Sequence, residues 1–159
     1  MMTELAGRVS AQPFFAGLPP AMILQLCAYG EPVTLQADRR VFFEGETAER
    51  FWLLESGTVA LGLHVPGHGD QIVETVGAGA VLGWSWLYPP YRWQFGAVTR
   101  SPVTGIAFDA AALRERCDAD PALGYALLLR FTPVIVDRLQ AARLRLLDLW
   151  GAPGRRVAP

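Results

Sequence analysis

"VFFEGETAERFWLLESGTV" runs from Val41 to Val59. Two short apolar runs, Val41–Phe43 and Phe51–Leu54, are each followed closely by a glycine turn, Glu44-Gly45-Glu46 and Ser56-Gly57-Thr58. Runs this short, rich in aromatic and branched side chains and closed by glycine, describe strands joined by tight turns rather than helices. The same rhythm continues outward in both directions. "PVTLQ" (32–36) precedes the segment, and "TVALGLHV" (58–65), "QIVETVG" (71–77) and "AVLGW" (80–84) follow it. After an interruption rich in tryptophan, tyrosine and proline, "QFGAVT" (94–99) and "PVTGIAFD" (102–109) resume it. The spacing predicts a compact all-β unit over about residues 31–108, a sandwich or barrel, with "PGHGD" (66–70) as a hairpin connection.

Helical patterns flank this unit. "PPAMILQLCAYG" (19–30) reads as a short helix, with proline in its first turn and Gly30 just past its end. From Asp109 the period turns helical to the end of the chain. Asp109 suits an N-cap, because its carboxylate accepts an unpaired N–H of the first turn. Asp120-Pro121 marks a second start, and Pro133 is expected to break or kink that helix. Beyond it, Ile135, Leu139, Ala142, Leu146 and Leu149 recur at alternating steps of four and three, the spacing of a coiled-coil seam. A homodimer is therefore expected. A wider stripe through Val136, Leu144 and Leu147 leaves one side of this helix for the β unit and the other for a partner. The organisation predicted is one domain over 13–150, its helical part about 109–150, with 1–12 and 151–159 as tails.

Composition narrows the function. Of 159 residues, 52% are hydrophobic and 18% charged, too apolar for a disordered chain. The net charge of −1 argues against direct nucleic-acid binding, which draws on a positive excess, and the exclusive use of arginine among the basic residues reads as a compositional habit. Arg138, Arg143 and Arg145 read as a solvated helix face, since Asp137 and Asp148 intersperse, and Arg155 and Arg156 add to the bias in the tail. No apolar run is long enough for a bilayer and the amino terminus lacks a signal-peptide pattern, so a cytoplasmic location without membrane contact is expected. Cys27 and Cys117 read as buried thiols, and His64 and His68 as solvated hairpin residues rather than metal ligands. No nucleophile elbow, P-loop or HExxH motif occurs, so no enzyme is expected.

The order of these elements resembles the cyclic nucleotide-binding domain of the catabolite activator protein (Crp/Fnr-like) family. The carriers are the 41–59 segment and "VGAGAVLGW" (76–84), in which a glycine pair precedes a hydrophobic residue and a key glycine, Gly83. The resemblance implies a mainly β fold with flanking helices: an eight-stranded double-stranded β-helix, jelly-roll-like, with a long C-terminal dimerisation helix. It also implies a ligand cleft, in which a short helix after the key glycine faces a cyclic phosphate, a glutamate takes the ribose and an arginine pairs with the phosphate.

This sequence departs from that pattern. Trp84 stands where the glutamate should follow Gly83, and Trp93 falls on the arginine position, with Arg92 one place away. A phosphate taken from water into a site without a cation costs several kcal/mol, and the lost ribose contact adds about 1–3 kcal/mol. Trp84, Trp86 and Trp93 are therefore expected to fill the cleft or pack on the β unit. Ser85 is expected to cap a helical turn. The function expected is a stand-alone, non-enzymatic regulatory or interaction module of signalling type, dimeric, with ordinary cAMP binding lost and an unidentified protein partner. It would lack a DNA-reading helix-turn-helix. The alternative is a sensor of a cyclic nucleotide or other small anion, bound through Arg92 and backbone N–H groups near Gly83 to Ser85, with Trp84 and Trp93 as walls. No cofactor is otherwise indicated.

Overall fold

The computed structural model describes residues 1–150, with side chains to Asp148. Eight strands form two four-stranded sheets. They are β1 (Gly30–Leu35), β2 (Arg40–Phe42), β3 (Arg50–Ser56), β4 (Val59–Val65), β5 (Gly69–Val76), β6 (Val81–Leu82), β7 (Gly96–Thr99) and β8 (Val103–Asp109). One sheet has the order β1-β8-β3-β6, the other β2-β7-β4-β5, and every pairing is antiparallel. This is the compact all-β unit expected from the run of short apolar segments, in the jelly-roll-like form that the resemblance implies.

The Phe51-Trp52 pair shows why β3 organises both layers. Adjacent strand residues point to opposite faces. Phe51 stacks on Phe108 at 4.5 Å and on Trp86 at 5.2 Å, and meets the edge-on ring of Phe131 in the C-terminal helix. Trp52 faces the other way, 5.7 Å from Phe42 of the second sheet. One dipeptide thus ties the sheet to the helical layer and to its partner sheet. At the end of β3, Gly57 has φ +89°, and a Cβ there would lie 2.2 Å from the Pro102 carbonyl oxygen, so the turn into β4 admits only glycine.

Among the described residues four α-helices complete the fold: α1 (Met2–Ser10), α2 (Pro20–Cys27), α3 (Ala110–Ala119) and α4 (Pro121–Trp150). Asp109 caps α3 as expected, its carboxylate accepting the Ala112 N–H at 3.0 Å. Two expectations are corrected. Residues 1–12, read as a tail, contain α1, which buries Leu5 and Val9 and ties Arg8 to Glu55 of β3. The side-chain bond to Glu55 holds the Arg8 guanidinium above its ordinary pKa. Two apolar residues four apart on one face were too sparse a signal against a polar background. Pro133 does not end its helix: α4 runs through it. Pro133 and Leu129, whose carbonyl the missing N–H would have served, both lie on the exposed side, where water can satisfy that carbonyl.

Along α4, Leu123, Leu127 and Phe131 are buried, and Arg138 continues the same side to β5. Of the residues expected in the dimer seam, Ile135 and Ala142 are half-buried beside Arg138 on this inward side. Leu139 and Leu146 face outward, 59% and 55% exposed. Leu149 at the side-chain level, and the 151–159 tail with Arg155 and Arg156, lie outside the described residues.

Candidate functional site

The cleft forms where β6 ends. Gly83 follows Leu82 with φ +97°, and a Cβ built on it would lie 2.8 Å from Cζ3 and 2.9 Å from Cη2 of Trp93. Glycine is needed here twice, for its backbone angle and for the close approach of an indole. After Trp84 the chain makes a 3-10 turn, Ser85–Leu87, closed by the Leu87 N–H donating to the Trp84 carbonyl at 3.1 Å. Ser85 is buried, and the turn has Trp84 at its cap with no side-chain hydrogen bond. The capping role expected of Ser85 is therefore not filled: it lies inside the turn, not before it.

Trp93 returns into this space from the far end of the loop. Its N–H donates to the Glu46 carbonyl at 2.9 Å, and its own carbonyl accepts the Gly45 N–H at 2.8 Å. The glycine turn of the opening segment thus holds the indole by its backbone. The ring stacks on Phe42 at 3.9 Å, lies 6.0 Å from Trp52 and is 5% exposed. Trp84 is half-buried against the same core. Trp86 leaves the cleft altogether and fills the helical layer, stacked on Phe51 and edge-on to Phe131. What remains between Phe42, Leu61, Gly83, Trp84, Ser85, Trp93, Phe95 and Arg138 is a hollow of about 10 Å³. Small-molecule sites run to about 300–1,000 Å³.

The polar groups are not placed as the sequence suggested. Arg92 lies on the exposed side of the loop, its Nη1 donating to the Gly45 carbonyl at 2.9 Å, and it does not line the hollow. Alternation explains this: Arg92 and Trp93 are neighbours in an extended segment bridged to Thr47, so one faces out when the other faces in. The cation at the cleft is Arg138 of α4, 7% exposed, with Nη1 2.9 Å from Glu74 Oε2 on β5. The solvated position expected for Arg138 is thereby corrected. Helical periodicity relative to Leu127, Phe131 and Ile135 could have placed it inward, but nothing in the sequence joins it to Glu74.

A larger hollow, about 810 Å³, lies on the outer face of the second sheet. Several of its charges answer one another, although Arg100, which also lines it, makes no ion pair among the described residues. Arg40 stacks over Phe43 at 4.7 Å and approaches Asp70 at 3.8 Å, and Asp70 also holds His64 Nδ1 at 3.0 Å. Glu44 accepts the His64 backbone N–H at 3.2 Å. It is a broad, solvated groove on that sheet. Among the described residues, no three His, Cys, Asp or Glu side chains gather to hold a metal, and no helix is long and apolar enough to cross a membrane.

Comparisons with known proteins agree with this fold. The family model described as the cyclic nucleotide-binding domain matches residues 32–120. The chain is similar to the CRP-like cAMP-activated global transcriptional regulator of Mycobacterium tuberculosis, 28% identical over 156 residues, which are 97% of this chain. It spans 66% of that relative's length. Among solved structures it resembles a candidate cyclic nucleotide-binding protein of Geobacter metallireducens, with a TM-score of 0.77 and 27% identity over 84% of this chain and 97% of that one. A cyclic nucleotide-binding domain from Methylobacillus flagellatus shares the fold with a TM-score of 0.74 at 22% identity, covering 92% of this chain and 83% of the other.

Proposed function

The chain belongs to the cyclic nucleotide-binding domain family, and from that premise we propose that it is a regulatory or interaction module whose cleft is occupied by its own side chains. It does no catalysis, has lost ordinary cAMP binding and acts through protein contacts, as a homodimer joined along α4. The observation that carries this reading is Trp93, stacked on Phe42 and pressed against Gly83, with about 10 Å³ left beside it. Binding a nucleotide would require the indole to leave, exposing roughly 150–250 Å² of aromatic surface. That cost of about 4–6 kcal/mol, at 25 cal/mol per Å², exceeds what one phosphate contact returns.

For the dimer, the support is the exposed side of α4. Val136, Leu139 and Leu146, all beyond Pro133, are 47%, 59% and 55% exposed and follow one another at heptad-compatible steps. The proposed seam keeps Leu139 and Leu146 and takes Val136 in place of the half-buried Ile135.

A second reading has one observation in its favour. The Mycobacterium tuberculosis relative is by name cAMP-activated. In this reading the chain senses a cyclic nucleotide or small anion through Arg92 and the backbone near Gly83. Against it stands the engagement of Arg92 with Gly45.

Isothermal titration with cyclic AMP and cyclic GMP separates the two. The self-filled cleft predicts no binding heat up to high micromolar ligand. Saturable binding at low micromolar concentration overturns it in favour of the sensor.

A further inference from the structure

The geometry points to Arg138, not Arg92, as the anion-receiving group beside this cleft, with the Glu74 carboxylate of β5 as its resident partner at the solvent side. This rests on the reading of the cleft as self-filled, and extends it from apolar to charged filling. Two indoles take the apolar volume, and an internal carboxylate takes the place of an external anion.

Four observations converge. Arg138 is 7% exposed and lines the same hollow as Gly83, Trp84 and Trp93. Its described hydrogen bond is the one to Glu74, whereas a guanidinium offers five N–H donors in a planar fork. Glu74 is the less enclosed partner, with its side chain 28% exposed against 9% for Arg138, so the carboxylate can leave to water while the guanidinium stays. Finally, the pair joins β5 to α4 across 64 residues of sequence, at the point where the helix passes the cleft.

A buried cation that loses its partner is strongly destabilising, because its desolvation is no longer offset. Arg138 must therefore hold an anion at all times, and Glu74 supplies it in the free chain. An external ligand able to replace it must present a compact oxyanion to a planar guanidinium. A phosphate, free or carried on a nucleotide, has that chemistry. In wild type it competes with a tethered carboxylate at high effective concentration and loses.

The test removes the tethered anion and keeps its shape. In Glu74→Gln, Arg138 faces a neutral amide. Inorganic phosphate and cyclic AMP are titrated separately at constant ionic strength, read by tryptophan fluorescence, since Trp84 and Trp93 line the hollow, and by melting temperature. Glu74→Gln should bind phosphate at least about tenfold more tightly than wild type, a difference of about 1.4 kcal/mol. The gain should vanish in Glu74→Gln/Arg138→Met and survive in Glu74→Gln/Arg92→Ala. If Glu74→Gln is unfolded in dilute buffer, phosphate should refold it. A response to cyclic AMP but not to phosphate overturns the inference, because a whole nucleotide needs the volume that Trp93 fills. No gain and no refolding with either probe overturns the inference, as does a gain that persists without Arg138 or disappears without Arg92. These outcomes are separate from the preceding ones: tight cyclic AMP binding by wild type sinks the self-filled cleft, whereas an inert Glu74→Gln sinks only the role of Arg138.

Discussion

Trp93 occupies the cleft because its backbone is paired to the Gly45–Glu46 turn and its ring is clamped between Phe42 and Gly83. Truncating it removes a buried aromatic and leaves a hole that rigid neighbours cannot close. Trp93→Ala should cost about 3–5 kcal/mol, measured by urea denaturation, and a loss under about 1 kcal/mol would show that the indole is not a packed element of the core. A second prediction concerns Cys117, whose thiol is pushed from an ordinary 9.0 up to about 11 by burial first, and then by Asp118 and Asp120. The folded state therefore holds this proton more tightly than the unfolded one. The stabilisation is whole below pH 9 and is lost as the pH rises through 11. At pH 8 alkylation of Cys117 in the folded protein should run about a hundredfold slower than for a thiol of ordinary pKa, and equal rates would contradict the shift.

At the scale of elements, α4 is the one whose sequence signals conflict. Asp120-Pro121 announces a start and Pro133 an end, yet the helix continues. Its inner side is fastened on both flanks of the proline, by Leu127 and Phe131 before it and by Arg138 after it. The lost hydrogen bond falls on the outer side, where solvation of one carbonyl is cheap. Pro133→Ala should restore that bond and stabilise the protein by about 1–3 kcal/mol in chemical denaturation, with no change in oligomeric state. Destabilisation would mean that the proline sets a bend on which the docking of α4 depends. The strands posed no such conflict. Each apolar run between residues 32 and 109 became a strand, because glycine turns at close spacing leave neither the length nor the period for a helix.

For the whole molecule, the proposal is that two copies meet along the outer side of α4. Light scattering coupled to size exclusion should give a dimer for wild type and a monomer for Leu139→Glu/Leu146→Glu, since a glutamate pair in an apolar seam is left buried and unpaired. Both side chains are exposed in the single chain, so the substitutions should leave the fold intact by circular dichroism. A wild-type monomer at high micromolar concentration, or a dimer unaffected by the double substitution, removes this assembly. The Arg138–Glu74 pair gives the seam a link to the cleft, because the helix that carries one is anchored beside the other.

Local sequence was sufficient for the strand pattern, the glycine turns and the Asp109 cap. Each of these depends on neighbours a few residues apart, where backbone period and conformational preference act directly. Tertiary structure alone decided the rest. It turned Arg92 outward by alternation against a turn 47 residues away, brought Arg138 to Glu74 from 64 residues away, folded α1 onto β3 and carried α4 through its proline. Those outcomes turn on which faces become buried when distant segments meet, and burial is what makes an arginine a solvated side chain in one case and the cation of a cleft in the other.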